Sequence, residues 1–526
     1  MICEGSFDMN DASVKNTPAL AARGPVRLVA GEVAGAIAPE SESVSRFLGI
    51  PYAAAPIGDL RWRPPQAVAP WEGIRSVESF APAPAQPIDQ TLSLFGLQDG
   101  DEMSEDCLHL NVWTPASDTN ESRPVMVWVH GGGFRIGHAA HRMYNGVRLA
   151  ERGVVVVTIN YRLNVAGGFA HPLLSEESGH GASGNYALMD QIAALEWVRD
   201  NIAGFGGDPE NVTIFGESAG GRSVSVLMTS PLAKDLFHKG ICQSGALRDT
   251  GGTLAAREAQ GVAVAQAIGC STLAELRAAD WRAMEDAVAF DSNPFVDGWV
   301  VPDTPEALYA AGKIHDKPLL IGTNANEAGL FAQMLSTPVD TTVKFRAIVE
   351  GEFGSAAAEV LAAYPAASDA DAQDAWNALR TDMWFSLPAR KQARWLEAAG
   401  QLTYLYCLSR IPPWRGGKTM GAHHGAEIAY VFGGGVRCGS FDPDGARDPL
   451  DRALSDAVMS YWVNFAANGD PNGDGLPDWK AYSSSDEDYL HFGNTVAADT
   501  GLFRERLDVL EAALAHHSGN SNIYGD

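Results

Sequence analysis

The feature that most constrains this chain is the segment Asn211–Gly221, with the sequence NVTIFGESAGG. Its first half, Asn211–Phe215, is rich in β-branched and aromatic residues, which is typical of a buried strand. The strand runs into Gly216-x-Ser218-x-Gly220, and small residues follow. A serine on so sharp a strand-to-helix turn needs tiny residues two positions before and after it, because larger side chains would collide. This context favours an exposed, nucleophilic serine over an ordinary Gly/Ser-rich turn.

Several other apolar runs have the composition of buried strands. They are Val125–His130, Val154–Asn160, Leu319–Gly322 and Leu402–Cys407. Helical patterns lie between them, as in Asn185–Asn201, where apolar residues recur on one helix face. Strands that alternate with helices predict an α/β protein with a mostly parallel sheet and helices on both faces.

The domain organisation follows from the same reading of the sequence. We expect one domain over residues 25–515, a disordered N-terminus over 1–24 and a flexible tail over 516–526. A stretch at about 335–400 is Ala-rich with scattered aromatic residues. It predicts a helical insertion near the carboxyl edge of the sheet.

A glycine-rich loop is predicted after the first of these strands. Val125–His130 leads into Gly131-Gly132-Gly133-Phe134. Successive glycines let the backbone approach a substrate, and backbone N–H groups there can stabilise the negative charge of an acyl-transfer transition state. Its position after a buried strand and upstream of Ser218 fits an oxyanion loop.

An acid and a base are expected downstream, in the order serine, acid, histidine. Glu327 follows the strand Leu319–Gly322, and His424 follows a later strand and loop. The histidine would take the serine proton, and the acid would hold the imidazole in the right tautomer. Spacing alone leaves His423 and Asp316 open as rivals.

Charge and cysteine content narrow the classes of function. The chain has 38 Lys and Arg against 65 Asp and Glu, a net charge of −27, and no basic run, so nucleic-acid binding is not expected. The six cysteines are scattered, which is typical of a reducing compartment. No signal peptide and no membrane span is predicted. We therefore expect a cytoplasmic protein that does not bind membranes.

A set of motifs extends over most of the chain. The matching segments are Phe47–Tyr52, Gly58–Trp62, Ser104–Leu108, Gly206–Pro209 before Gly216–Gly221, Asn324–Ala328, and His424-Gly425 followed by Glu427-Ile428. Together they resemble the type-B carboxylesterase family, roughly from Gly31 to Phe503, in its bacterial, para-nitrobenzyl-esterase-like form. The resemblance implies an α/β-hydrolase fold with the site at the bottom of a gorge, and hydrolysis of a small-molecule carboxylic ester without cofactor or metal.

The resemblance also implies a set of site residues. The catalytic residues would be Ser218, Glu327 and His424, with oxyanion donors at Gly132, Gly133 and Ala219. Matching the base segment selects His424 over His423. Glu217 would bias the potential of the pocket, Ser244 would support the triad from behind, and Phe295 would narrow the acyl side.

Three departures from the family pattern bear on function. Cys107 has no upstream partner except distant Cys3, which favours an intracellular member. No tryptophan lies between Trp71 and Trp113, which argues against choline esters. Arg222 stands where a small or apolar residue is expected, either as a salt-bridged helix residue or as a contact for a substrate carboxylate.

Two other functions are compatible with the sequence, whereas two apparent binding motifs are rejected. A carbamate or amide hydrolase could use the same triad, and a non-enzymatic scaffold would show a broken triad. The GxGxxG match at 179–184 follows a polar loop, so it does not predict a dinucleotide site. The calcium-like loop from Asp470 has Ala481 where a glutamate ligand is required.

The sequence does not distinguish a monomer from a homodimer.

Overall fold

The computed structural model describes residues 24–88, 96–98, 100–247, 252–333, 338–411, 420–433 and 448–515. Its centre is an 11-stranded sheet. In chain order the strands are β1 (Ala36–Ala38), β2 (Ser41–Pro51), β3 (His109–Thr114), β4 (Arg123–Val129), β5 (Val155–Ile159), β6 (Gly207–Glu217), β7 (Lys239–Gln243), β8 (Leu319–Asn324), β9 (Thr403–Leu408), β10 (Asp488–Phe492) and β11 (Val496–Thr500).

The sheet is parallel in the middle and antiparallel at both edges. Its strand order is β1-β2-β3-β5-β4-β6-β7-β8-β9-β10-β11. The strands from β5 across to β10 are parallel. The pairs β1–β2, β2–β3, β3–β5 and β10–β11 are antiparallel. All five runs predicted from composition are strands of the parallel part, so the predicted α/β fold is confirmed.

Helices connect the strands and cover the sheet. They are α1 (Val147–Ala150), α2 (Asn164–Gly168), α3 (Pro172–Glu177), α4 (Tyr186–Asn201), α5 (Ala219–Leu227), α6 (Leu254–Ala267), α7 (Leu273–Ala278), α8 (Trp281–Ala287), α9 (Pro305–Ala310), α10 (Ala328–Ala332), α11 (Thr342–Phe353), α12 (Ala357–Ala363), α13 (Ala372–Thr381), α14 (Leu387–Ala398), α15 (Ile428–Val431), α16 (Pro449–Asn468) and α17 (Arg504–Ala515). A π-helical turn, Asp382–Ser386, joins α13 to α14.

Both faces of the sheet are buried. On β4, Val125, Val127 and Val129 belong to the hydrophobic cluster of one face. Met126 and Trp128 belong to the cluster of the other face. Successive side chains of a strand point to opposite faces, so a strand buried on both sides is apolar throughout. This is why the central strands stand out in the sequence as continuous apolar runs.

The predicted helical region contains α11–α14. These helices pack with the C-terminal helix α17 around a third hydrophobic cluster, which includes Phe345, Leu379 and Leu510. The predicted N-terminal segment falls outside the described residues except for Gly24, and the predicted tail lies wholly outside them. In the described part of the chain, no helix is long and apolar enough to cross a membrane.

Two bidentate ion pairs connect loops to the core. Arg61 donates to both oxygens of Glu105, at 2.8 and 2.6 Å. Arg162 does the same with the buried Asp190, at 2.8 and 2.7 Å. Bidentate pairs of this kind fix geometry as well as charge, so they hold the loops after β2 and β5 against the core.

Candidate active site

Ser218 lies on a tight turn between β6 and α5, as the sequence predicted. Its backbone has φ 56° and ψ −119°, a region that non-glycine residues rarely occupy. The Ser218 amide donates to Gln243 O at 2.9 Å, which ties the turn to the end of β7. A Cβ on Gly220 would lie 1.9 Å from Val129 O, and one on Gly216 would lie 2.6 Å from the same oxygen. Both glycines are therefore required by packing.

Glu327 follows β8 and is fully buried. Its Oε1 accepts hydrogen bonds from Ser244 Oγ at 2.6 Å, Thr323 Oγ1 at 2.9 Å and the Asn324 amide at 2.6 Å. Its Oε2 lies 2.7 Å from His424 Nδ1. A buried carboxylate needs such partners, and these four fix both the position of Glu327 and the edge of the imidazole that it contacts.

His424 follows β9 and is held from two directions. Besides the contact with Glu327, its ring centroid lies 4.8 Å from that of Phe385 and 5.1 Å from that of Phe331. Its other nitrogen, Nε2, lies 3.1 Å from Glu217 Oε1. Among the described residues, Nε2 has no well-oriented hydrogen bond.

The two rivals of these residues lie elsewhere. The His423 ring is buried, and its Nδ1 lies 2.8 Å from His424 O. Asp316 is exposed ahead of β8. The structure therefore brings the side chains of Glu327 and His424 together, whereas the His423 ring contacts the backbone of His424 and Asp316 is exposed.

The carboxyls around His424 change its protonation. Burial opposes the charged imidazolium, but the carboxylates of Glu217 and Glu327 outweigh it and raise the pKa of His424 to about 9. Burial raises the pKa of Glu217 to about 8, and the carboxylates of Glu427 and Glu327 add to that rise. Glu217 and His424 each favour the charged form of the other, so they titrate as a pair.

The glycine loop follows β4 and passes beside Ser218. Gly132 and Gly133 have φ of 102° and 64°, values that favour glycine. Gly132 O accepts from the amides of Arg135 and Ile136, both at 3.0 Å. Within the described residues, neither the Gly132 nor the Gly133 amide donates to another backbone carbonyl.

A cavity of about 200 Å³ joins these groups at the carboxyl ends of β4, β6, β7 and β9. Ser218, His424, Gly132, Gly133, Ala219, Glu217 and Ser244 line it. The remaining lining side chains are of two kinds. The apolar ones are Ile136, Ala246, Leu330, Phe331, Trp384 and Phe385, whereas Arg135, Arg222 and Asn293 are charged or polar. The crevice outside the strand ends is the usual ligand site of open α/β sheets.

One predicted pocket residue does not line this cavity. Phe295 is fully buried, with its carbonyl accepting from Asn185 Nδ2 at 2.8 Å and its ring 5.5 Å from Arg257 Cζ. It packs so closely against Gly184 that a Cβ there would lie 2.5 Å from the ring. Phe295 thus supports the loop that precedes α4, and the prediction of a wall residue is corrected.

Sequence reasoning missed several lining residues. The aromatic side chains come from α10, which precedes the predicted helical insertion, and from the π-helical turn inside that insertion, where the sequence predicted only helices. Trp384 stood out there as a scattered aromatic residue, but Phe331 and Phe385 had no distinguishing signal. π-Helical turns are often found at functional sites.

The described residues show neither a metal-binding cluster nor a disulfide. Over the described ranges, no group of three or more His, Cys, Asp or Glu residues could hold a metal ion. Cys107, Cys242, Cys270 and Cys407 are free thiols. The other two cysteines, Cys3 and Cys438, lie outside the described residues.

Comparison with known proteins identifies the family. The model of the carboxylesterase family matches residues 23–510. A fumonisin B1 esterase from Sphingopyxis macrogoltabida is 36% identical over 501 residues, which cover 90% of this chain and 88% of that protein. The liver carboxylesterase of Sus scrofa is 36% identical over 515 residues, 87% of each chain. A solved PNB esterase is similar with a TM-score of 0.77 and 31% identity, covering 92% of this chain and 99% of that one. This chain therefore belongs to the carboxylesterase family and is a carboxylic ester hydrolase with the α/β-hydrolase fold.

Proposed function

We propose that this chain hydrolyses small-molecule carboxylic esters by two-step acyl transfer, with Ser218 as nucleophile, His424 as base and Glu327 as the carboxylate that positions the base. The observation that carries the proposal is the 2.7 Å contact between His424 Nδ1 and Glu327 Oε2, in a site where His424 and the strained Ser218 line one cavity. An imidazole held at Nδ1 presents Nε2 to the cavity, as a general base for serine requires.

In the first step, Ser218 Oγ attacks the ester carbonyl carbon while its proton passes to His424 Nε2. The carbonyl oxygen becomes an oxyanion, which the amides of Gly132, Gly133 and Ala219 stabilise from the loop after β4 and the start of α5. Each such donor contributes on the order of 10²–10³ in rate. The intermediate then collapses, the bond to the alcohol oxygen breaks, and His424 gives its proton to the leaving alcohol.

In the second step, water replaces the alcohol. His424 Nε2 takes a proton from the water, whose oxygen attacks the acyl carbon of the Ser218 ester. Collapse of this second intermediate releases the acid and returns the proton to Ser218 Oγ. Glu327 stays ionised throughout, since its Oε1 accepts from Ser244 Oγ, Thr323 Oγ1 and the Asn324 amide.

Glu217 lies where it can influence the base without reacting. Its Oε1 is 3.1 Å from His424 Nε2, the nitrogen that must face Ser218 Oγ during the reaction. Catalytic hydrogen bonds are often poorly aligned before substrate binds. We propose that substrate binding aligns Nε2 with Ser218, and that Glu217 tunes the proton affinity of His424.

The experiment that tests this function compares Ser218→Ala with the parent enzyme on p-nitrophenyl esters of increasing acyl length. We expect the parent to hydrolyse short esters and the variant to lose at least about 10³-fold in kcat, because a triad without its nucleophile retains little turnover. Ser43→Ala, at an exposed position on β2, is the matched control and should keep parental activity. Turnover by purified Ser218→Ala near the parental level would reject Ser218 as nucleophile.

The resemblance favours esters over carbamates and amides, and supports no particular acyl or alcohol group. A cytoplasmic location stays a prediction, supported by the four free thiols of the described residues. Light scattering of the purified chain would distinguish a monomer from a homodimer.

A further inference from the structure

We propose that the active-site cavity selects esters that carry a second, negatively charged carboxylate group, and that Arg222 binds this carboxylate. The proposal rests on the function proposed above and names the substrate class of the same site. It concerns recognition only, since Arg222 is given no part in the movement of protons.

The position of Arg222 relative to the nucleophile is the first argument. Arg222 lies four residues after Ser218 on α5, and its amide donates to Ser218 O at 2.8 Å. Residues four apart share one face of a helix. The Arg222 side chain is only 8% exposed and lines the cavity together with Ser218. Its guanidinium therefore shares the enclosed space in which the ester must bind.

The second argument is that neighbouring groups hold this guanidinium in place. Arg222 Nη1 donates to Asn293 Oδ1 at 2.6 Å. The amide N–H and Nδ2 of Asn293 both donate to Asp291 Oδ1, at 2.9 and 2.8 Å. Arg257 Nη2 in turn donates to Asp291 Oδ2 at 2.5 Å. A binding group oriented in this way loses less conformational freedom when a ligand arrives.

The charges around the cavity are the third argument. One group that orients Arg222 inside the cavity is the neutral carboxamide of Asn293. The lining carboxyl, Glu217, faces His424 Nε2 at 3.1 Å. A second cation, Arg135, lines the cavity as well; its side chain is half exposed and 3.1 Å from Glu285. In a chain with a net charge of −27, a cavity with two arginines is complementary to an anion.

The chemistry of the side chain points to a carboxylate. A guanidinium presents five N–H donors in a planar fork that matches the two oxygens of a carboxylate. It can hold Asn293 and a ligand oxygen at the same time. Leu330, Phe331 and Phe385 form an apolar part of the cavity wall. This part suits the hydrocarbon portion of the same ester. A charge-assisted pair of this kind corresponds to about 10- to 100-fold in affinity.

The test uses two pairs of esters, each matched in size, followed by acid release in a pH-stat. Monoethyl glutarate and ethyl 5-methylhexanoate place the carboxylate, or its neutral replacement, on the acyl side. The 4-acetoxybutanoate ion and 4-methylpentyl acetate place it on the alcohol side. The quantity measured is the ratio of kcat/KM for the charged ester to that for the neutral ester, in the parent enzyme and in Arg222→Gln.

We expect Arg222→Gln to lower this ratio by about 10- to 100-fold for at least one pair, and the pair affected shows on which side the carboxylate binds. Arg346→Gln removes the same charge from an exposed position on α11, and it should leave the ratio unchanged. If Arg222→Gln lowers kcat/KM for both members of each pair equally, the residue is structural and the proposal is overturned.

A measurement on the parent enzyme covers the case in which Arg222→Gln does not fold. Glutarate should inhibit hydrolysis of ethyl 5-methylhexanoate competitively, whereas neutral glutaramide should not. Equal inhibition by both, or by neither, overturns the proposal. Hydrolysis of neutral esters without any preference for charge leaves the esterase function standing and rejects only the carboxylate site, whereas no hydrolysis of any ester rejects the proposed function itself.

Discussion

Glu217 is the residue next to the nucleophile in sequence, but in space its carboxyl faces the base. Its Oε1 lies 3.1 Å from His424 Nε2, and its Oε2 would lie 2.6 Å from a Cβ placed on Gly131. The glycine loop and Glu217 are therefore fitted to each other, and Gly131 leaves the space that the carboxyl occupies. The charge of Glu217 consequently acts on His424 at short range, with little water between them.

A change in the charge of residue 217 should move the pH dependence of catalysis. His424 acts as a base only when neutral, so kcat/KM rises with pH as His424 loses its proton. The carboxylates of Glu217 and Glu327 raise the pKa of His424 to about 9 against the effect of burial. Glu217→Gln removes one of them at almost constant volume, so the acid limb of the kcat/KM profile should move to lower pH. An acid limb at the same pH in both enzymes would show that the charge of Glu217 does not affect the pKa of His424.

Ser244 offers a second prediction at this scale. Its hydroxyl donates to Glu327 Oε1 at 2.6 Å in the fully buried part of the site. Ser244→Ala leaves this carboxylate with fewer donors and should lower the free energy of unfolding by about 1–3 kcal/mol, measured by urea denaturation. Ser230→Ala is the control, because this buried serine donates to the neutral Val300 O at 2.7 Å and should cost about 0.5–1.5 kcal/mol. A smaller cost for Ser244→Ala than for Ser230→Ala would contradict the prediction, because it would mean that the hydrogen bond to Glu327 is the weaker of the two.

At the scale of elements, the approach of α5 to β4 depends on small residues. Gly220 is the second residue of α5, and a Cβ on it would lie 1.9 Å from Val129 O at the end of β4. A side chain there would force the helix away from the sheet, and the turn that holds Ser218 would move with it. Gly351 occupies a contrasting place on α11, where a Cβ would meet nothing within 4 Å.

The same substitution at these two glycines should have opposite effects. Gly220→Ala places a methyl group 1.9 Å from a backbone oxygen and should destabilise the protein by about 3 kcal/mol or more. Gly351→Ala meets open space within a helix and should stabilise it by up to about 1 kcal/mol, because alanine favours helix over glycine. Thermal unfolding of both variants measures the difference. A Gly220→Ala variant as stable as the parent would mean that α5 can move away from β4 freely.

The central strands could be predicted from sequence because burial on both faces leaves a continuous apolar run. Val154–Asn160 was predicted, and the strand is Val155–Ile159. The strand that leads to Ser218 begins earlier than predicted, at Gly207. Its first residues are polar, and the register with β4 shifts between Gly207 and Val212. Such an irregular, half-exposed stretch has no periodic signal, and the antiparallel edge strands were not predicted for the same reason.

The candidate site could be predicted only where chemistry restricts the residue type. Ser218, Glu327 and His424 follow the ends of β6, β8 and β9, and the predicted order of strands was enough to expect them at one edge. Phe295 shows the limit, because a sequence position near a site does not determine which way the side chain points. Its ring turns towards Gly184 and Arg257, and Asn293, two residues earlier, lines the cavity instead.

At the scale of the whole molecule, the parts are joined by charge as well as by packing. The buried Glu487 precedes β10 and contacts Arg394 of α14 at 2.6 Å and Arg504 of α17 at 3.1 Å. Arg390 of α14 also contacts Glu511 of α17 at 2.7 Å. The helical insertion, the sheet and the C-terminal helix thus share one network of ion pairs. This arrangement supports the prediction of a single domain over residues 25–515.

The ion pairs stabilise the folded molecule, whereas its excess of acidic residues destabilises it. With 65 acidic and 38 basic side chains, the net charge is −27 at pH 7, and folding brings these carboxylates closer together than they are in the unfolded chain. Salt reduces the range of this repulsion, from about 30 Å at 0.01 M to about 8 Å at 0.15 M ionic strength. It also weakens the exposed ion pairs, but such pairs contribute only about 0–1 kcal/mol each. The buried ones, such as Arg162–Asp190, are screened much less.

The balance predicts that moderate salt stabilises this protein. The Tm measured by calorimetry at pH 7 should rise by a few degrees between about 10 mM and 300 mM NaCl, because relief of the repulsion outweighs the loss from exposed pairs. KCl at the same ionic strength should give the same rise, which separates screening from binding of a particular cation. At pH values near the pI of about 4.8, where the net charge vanishes, the rise should disappear. A Tm that falls with salt at pH 7 would instead assign the stability of the fold to its surface ion pairs.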